Sequence, residues 1–215
     1  LLKVKNVSKQ FGDLVVLREI NLEIDRGEVI GIFGPNGCGK STLLRIISGF
    51  EKPSCGKIIM EGKNITGFSV ERRAEIGISY AFQIPKPFES LTVFENVLAG
   101  FLLRYDEKEA ARKASDLLRK FDIDHISNRK ATYLSQGELK LLELCKSVST
   151  EPELLLLDEP FSALDRENSK NVMKKVRLMR DDGIAMLITA HKKRILERIS
   201  DRIFSIENGR LIVEG

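Results

Sequence analysis

Gly34-Pro35-Asn36-Gly37-Cys38-Gly39-Lys40-Ser41-Thr42 follows Val29-Ile30-Gly31-Ile32-Phe33, and the order of these two stretches decides the fold. The apolar run reads as a strand buried on both faces. The loop after it fits the phosphate-binding pattern GxxxxGK[ST] at every fixed position. Its glycines let the backbone curl so that successive N–H groups point inward at phosphate oxygens. The helix expected to begin near Lys40 adds the partial positive charge of its N-terminus. In that setting Lys40 reaches the β- and γ-phosphates, and the Ser41 hydroxyl is a ligand for Mg²⁺. A glycine-rich turn with a chance lysine would require neither the buried strand before it nor the helix after it.

Working outward, residues 2–8 and 14–33 read as strands. Leu17, Ile20, Leu22 and Ile24 are apolar between polar neighbours, and Asp25-Arg26-Gly27 supplies a turn before the buried run. The helix after the loop closes at Ser48-Gly49, where glycine is a natural stop. Strands are expected at 56–61 and 76–82. From about residue 85 the period changes. Val93, Phe94, Val97, Leu98 and Phe101 share one helical face, as do Ala110, Ala114, Leu117, Leu118 and Phe121. Residues 85–148, entered through Pro85 and Pro87, therefore read as a helical insertion in an α/β chain. Beyond it the pattern predicts a helix from Gln136, a buried strand at 153–158, a helix near 167–181 and a strand at 184–190. A hairpin turning at Asn208-Gly209 closes the chain.

The buried strand Leu154-Leu155-Leu156-Leu157 ends in Asp158-Glu159. A carboxylate there is costly to desolvate without a partner. Beside a phosphate loop, Asp158 suits the Mg²⁺ shell and Glu159 can polarise an attacking water. As a plain alternative, the two acids cap the turn that follows. Together the two motifs specify a Mg–nucleotide hydrolase or switch.

Composition narrows the class. The 215 residues are 42% hydrophobic and 31% charged, the balance of a soluble globular domain. A net charge of +4 is too mild to announce a nucleic-acid binder. No apolar run approaches the roughly 18 residues that span a bilayer. Cys38, Cys55 and Cys145 lack metal-ligand spacing, and the cytosol is the expected compartment. Cys38 lies inside the phosphate loop near a helix N-terminus, an environment that favours thiolate, or else it is a small spacer of ordinary reactivity. Residues 166–202 hold eleven Lys or Arg against five Asp or Glu. That excess reads as a solvated helical face or as a contact for anionic lipid or nucleic acid.

Leu134-Ser135-Gln136-Gly137-Glu138 lies ahead of a helix. With the two motifs above, it resembles the LSGGQ signature of ABC-type ATPases. Other landmarks of that family stand in order. Gln83, in Tyr80-Ala81-Phe82-Gln83, resembles the Q-loop glutamine, Ser162-Ala163-Leu164-Asp165 the D-loop, and His191 the switch histidine. Phe11 resembles the aromatic that stacks on adenine; read alone, it would be a core residue. The resemblance covers essentially all of residues 1–215 and implies a single ATP-binding domain. Its expected fold is a P-loop core with a parallel sheet, an antiparallel β subdomain and an α-helical subdomain at about 85–148.

The same resemblance implies ATP and Mg²⁺ as cofactors. Phe11, Val16 and Gly34 through Thr42 would hold the nucleotide, and Ser41, Gln83 and Asp158 the metal. Lys40, Gln83, Glu159 and His191 would carry catalysis, Asp165 of the D-loop would also bind nucleotide, and Ser135 and Gly137 would face the ATP of a second cassette. It further implies integral membrane permease subunits that handle a small solute, a place on the cytoplasmic face of the membrane, and no nucleic-acid partner.

Two departures stand out. Gln136 and Glu138 replace the first glycine and the terminal glutamine of the signature, and Ser135-x-x-Glu138 is also a capping box. The stretches Phe82 to Val97 and Leu139 to Leu144 are similar to those of ATPases serving branched-chain amino acid importers, a subgroup that often carries a longer C-terminal tail. A non-transport ABC ATPase, for example of the iron–sulfur assembly type, and a regulatory nucleotide-binding module remain the alternatives.

Overall fold

The computed structural model describes residues 1–214. The chain runs through β1 (Leu2–Phe11), β2 (Leu14–Ile24), β3 (Val29–Phe33), α1 (Lys40–Ser48), β4 (Cys55–Met60), β5 (Lys63–Asn64), α2 (Val70–Glu75) and β6 (Ile78–Ala81). It continues through α3 (Val93–Phe101), α4 (Glu107–Lys120), α5 (Gln136–Ser149), β7 (Leu154–Leu157), α6 (Arg166–Asp181), β8 (Ala185–Ala190), α7 (Lys193–Leu196), β9 (Arg202–Glu207) and β10 (Arg210–Glu214).

Two sheets result. One is antiparallel, in the order β2-β1-β4-β5; the other has the order β10-β9-β3-β8-β7-β6. In the second, β3 pairs in parallel with β8 and β9, β7 with β6 and β8, and only the edge strand β10 is antiparallel. The short apolar runs explain the placement: every residue of β7 and β8 is buried, as only a central strand covered on both faces allows.

The two-residue period of these strands divides the core into two layers. Ile30, Ile32, Leu154, Leu156 and Leu187 face Leu43, Leu44, Ile46 and Ile47 of α1 and the inner face of the antiparallel sheet. Val29, Leu155, Leu157, Met186 and Ile188 face the opposite layer, built from α3, α4, α5 and α6. Gly31 is required where α7 crosses β3. A Cβ there would lie 3.0 Å from Leu196 and 2.7 Å from the Ser200 hydroxyl.

Arg73 of α2 ties the first layer together. Its buried guanidinium donates to the carbonyls of Ile46 and Ile47 at the end of α1 and to those of Ile65 and Thr66. A cation at a helix C-terminus completes orphan carbonyls and complements the dipole. Burial lowers its pKa to about 10, which leaves it charged at neutral pH.

Several expectations shift. The first strand runs to Phe11, because β1 pairs with both β2 and β4 through bulges. The span 14–33 is two strands belonging to different sheets. Residues 83–92 are irregular, and helix begins only at Val93, where Thr92 and Glu95 form a capping box. The short elements β5, α2 and α7 carry too few residues to show a period. Of the eleven cations in 166–202, Lys174, Lys175, Arg180, Lys193 and Arg202 sit in ion pairs with Asp122, Asp201, Glu214 and Glu28.

Candidate functional site

The phosphate loop joins β3 to α1 and is shaped by left-handed glycines, Gly37 at φ 78° and Gly39 at φ 109°. Gly39 also lies hard against the antiparallel sheet. A Cβ on it would sit 2.7 Å from Leu17 and 3.2 Å from Val16. Val16 therefore backs the loop, and the Asn208-Gly209 turn closes on the same strand, with the Arg18 amide donating to the Gly209 carbonyl at 2.7 Å.

Lys40 is 4% exposed, and its ammonium donates to the carbonyls of Gly34 at 2.7 Å and Pro35 at 3.0 Å. Its Nζ also lies 3.3 Å from Glu159 Oε1. These three partners match the three N–H donors of an ammonium group.

Asp158 and Glu159 follow β7 and divide the work by direction. The Asp158 carboxylate accepts three hydroxyls: Ser41 at 2.9 Å and Thr189 at 2.9 Å on Oδ1, and Tyr80 at 2.7 Å on Oδ2. Burial and the neighbouring Asp158 charge push the Tyr80 phenol well above its usual range, so it stays a donor. Glu159 has φ 46°, an uncommon left-handed value for a non-glycine residue that turns the chain off the strand. Its amide donates to the Thr189 hydroxyl at 3.0 Å. Its carboxylate, 5% exposed, receives Gln83 Nε2 at 3.2 Å and lies 2.5 Å from His191 Nε2. Asn36, Gly37, Gly39, Lys40, Ser41, Thr42, Gln83, Glu159 and His191 line one polar recess of about 330 Å³.

The remaining expected residues lie elsewhere. Phe11 ends the β1–β2 hairpin opposite Leu14 and is 46% exposed, with the Lys9 ammonium 4.5 Å from its ring centre. Its exposure leaves the ring face open, as the stacking role that the resemblance implies requires, and disfavours the alternative of a core residue. Cys38 is half-buried, its sulfur close against Gly34.

Ser135 is the N-cap of α5 and forms the capping box read from the sequence. Its hydroxyl accepts the Glu138 amide at 3.3 Å, and its own amide donates to Glu138 at 2.8 Å. Gly137 faces α6, where a Cβ would meet Asn168 Oδ1 at 2.2 Å. Asn168 is held in turn by Asp165, which caps α6 through both carboxylate oxygens, each at 2.8 Å. Asp165 lines a second recess of about 350 Å³, which shares only Glu159 and His191 with the polar one. Ser135 and Gly137 line neither.

Sequence reading missed Tyr80 and Thr189, the two further hydroxyls on Asp158. It also missed the buried ions Lys140 and Glu143 of α5. A charged pair three residues apart inside the apolar stretch Leu139 to Leu144 was the available signal.

Comparison with known proteins agrees with this geometry. The family model described as "ABC transporter" matches residues 17–162. The branched-chain amino acid transport ATP-binding protein LivG of Archaeoglobus fulgidus is 32% identical, over 100% of this chain and 89% of its own length. The sulfate/thiosulfate import ATP-binding protein CysA of Mesostigma viride is 37% identical over 97% of this chain, which spans only 60% of that relative. Among solved structures, a dimeric ATP-binding cassette in a post-hydrolysis state bound to ADP and phosphate superposes with a TM-score of 0.89. It is 26% identical, covering 100% of this chain and 98% of that one. Motifs, fold and relatives converge: the chain belongs to the ABC transporter family and is one of its ATP-hydrolysing cassettes.

Proposed function

We propose that this cassette powers import of an amino acid or similar small solute through separate membrane-spanning subunits, acting on the cytoplasmic face of the membrane. The observation that carries the reading is the division of the motifs. Lys40, Ser41, Gln83, Glu159 and His191 meet in one recess, while Ser135 and Gly137 stand outside it at the start of α5. A complete set around one ATP then needs two cassettes facing head to tail, and closure on ATP does mechanical work on the membrane partner.

In this reading Phe11 and Val16 contact the base and sugar. Gly34, Pro35, Asn36, Gly37, Cys38, Gly39 and Thr42 wrap the phosphates, and Lys40 exchanges its protein carbonyls for phosphate oxygens. The donor set at Ser41 and Asp158, two hard oxygens 2.9 Å apart, fits Mg²⁺ with Gln83 at its edge. Bound Mg²⁺ would neutralise charge on the transferring phosphate. Glu159 takes the proton of the attacking water, His191 contacts the γ-phosphate, and Ser135, Gly137 and Asp165 serve the partner's nucleotide. Positioning and charge neutralisation supply most of the catalysis.

Among the described residues no helix is long and apolar enough to cross a membrane. The irregular segment before α3 exposes Ile84 and Phe88, and the end of α3 exposes Leu102 and Leu103, apolar residues suited to meeting membrane-spanning subunits. The LivG likeness favours amino acids over inorganic anions.

The test is a pulldown of Glu159→Gln from its own host with Mg–ATP and gently solubilised membranes, followed by mass spectrometry. Multi-span proteins are expected, and with them labelled-leucine uptake by vesicles should fall to background in the variant. Soluble partners alone would overturn the transport reading in favour of a non-transport ABC ATPase.

A further inference from the structure

Three side chains of α5 reach across to the segment that carries Gln83. The Lys140 ammonium, 6% exposed, donates to the Gln83 carbonyl. Glu143, 5% exposed, accepts the Phe82 amide on one carboxylate oxygen and the Lys86 amide on the other, each at 3.1 Å. Lys146 donates to the Lys86 carbonyl at 2.5 Å and lies 3.5 Å from Glu143. The backbone of residues 82–86 has no strand or helix of its own, so these bonds set its path. Gln83 in turn places its side-chain amide 3.2 Å from Glu159 Oε2.

We propose that Lys140 and Glu143 are positioning residues, a buried clamp through which α5 fixes where Gln83 presents its amide to Glu159. The proposal rests on the reading of Glu159 and Gln83 as parts of the hydrolytic site. Its content is a mechanical link: the helix whose first turn is the signature also holds the segment that contacts the base of the same chain's own site.

Stability gives no reason for charges in these places. Taking a lysine and a glutamate out of water is costly before their attraction offsets it, and replacing a whole buried ion pair by well-packed apolar side chains of similar size is often neutral or stabilising. What an apolar pair cannot do is hold two amides and a carbonyl of an irregular segment. Lys140 is the stricter test, because a methionine fills its volume and leaves the Gln83 carbonyl unheld.

The experiment is a cycle of steady-state ATP hydrolysis by the full chain carrying Lys140→Met, Gln83→Ala or both, with nucleotide affinity measured in parallel. Gln83→Ala is expected to lower kcat by about tenfold or more, and Lys140→Met by a similar factor, since small misplacements near the reacting atoms cost on that scale. ATP affinity should stay near that of the parent, while Lys140→Met lowers Tm because it leaves the buried Glu143 without this cation. The double variant should be no slower than Gln83→Ala, and Lys140→Arg should recover most of the rate.

If Lys140→Met lowers kcat by the same factor with and without Gln83, the lysine does not act through that residue and the clamp is refuted. A Lys140→Met chain with parental kcat refutes it equally. If Gln83→Ala alone leaves kcat unchanged, the reading of the site itself is wrong, a separate failure. Should Lys140→Met fold poorly, Glu143→Gln, which keeps the shape and one acceptor, must show the same dependence on Gln83, or the proposal fails.

Discussion

The two halves of the motif set are built in opposite ways. The recess around Glu159 gathers side chains from four distant stretches, with Asp158 accepting three hydroxyls and Lys40 held by three oxygens. The signature turn is local. Ser135 and Glu138 satisfy each other, Arg129 pairs with Glu138 at 2.9 Å, and Ser135 and Gln136 face solvent. The first half is held in place by side chains and carbonyls of its own chain. The second is a locally satisfied helix terminus that lies outside that recess. Variants should therefore separate into those that damage one cassette and those felt only when two meet.

The largest effect belongs to the recess. Glu159→Gln keeps the size of the side chain but removes the proposed base and turns one acceptor oxygen into a donor, and kcat should fall about 10²- to 10⁴-fold while ATP still binds. Hydrolysis by this variant at the parental rate would reject Glu159 as the base. Lys40→Ala should instead weaken nucleotide binding itself, because it deletes the charge proposed to face the phosphates. A fluorescent ATP analogue read against both variants distinguishes the two losses.

A smaller effect sharpens the contrast. Tyr80→Phe leaves Asp158 Oδ2 without its protein donor in a carboxylate only 4% exposed. Loss of a hydrogen bond to a charged group costs about 1.5–3 kcal/mol, so urea unfolding of the nucleotide-free chain should show a loss in that range. An unchanged midpoint would mean that water replaces the phenol and that the network is looser than its geometry implies.

The local half of this architecture was open to sequence reading, and the assembled half was not. The phosphate loop, the Ser135 capping box and the Asn208-Gly209 hairpin are fixed by residues a few positions apart, and all three stand where spacing put them. Tyr80 and Thr189 reach Asp158 from 78 and 31 positions away, and no periodicity encodes that meeting. Arg73 escaped for the same reason: it reads as a surface cation of a six-residue helix, yet four backbone carbonyls of other segments make it a core residue. Phe11 shows why the order of motifs matters: taken alone its aromatic ring suggests burial, yet it ends the hairpin opposite Leu14 and is exposed.

Ser135→Ala should have the smallest effect on a single chain. It removes one N-cap acceptor and frees Glu138 from its reciprocal partner, a loss of about 1 kcal/mol that lowers Tm by roughly 2–4 °C in a domain of this size. ATP binding by the isolated chain should not change, because Ser135 lies outside the recess that holds Lys40 and Glu159. Hydrolysis should fall only to the extent that two cassettes close on shared ATP, so the deficit must grow with protein concentration as pairs form. Gln136→Gly offers the converse, removing a bulky exposed side chain from the signature turn while leaving the capping box intact. If Ser135→Ala weakens ATP binding by the lone chain, the signature serine belongs to its own chain's site, and the division between the two halves collapses.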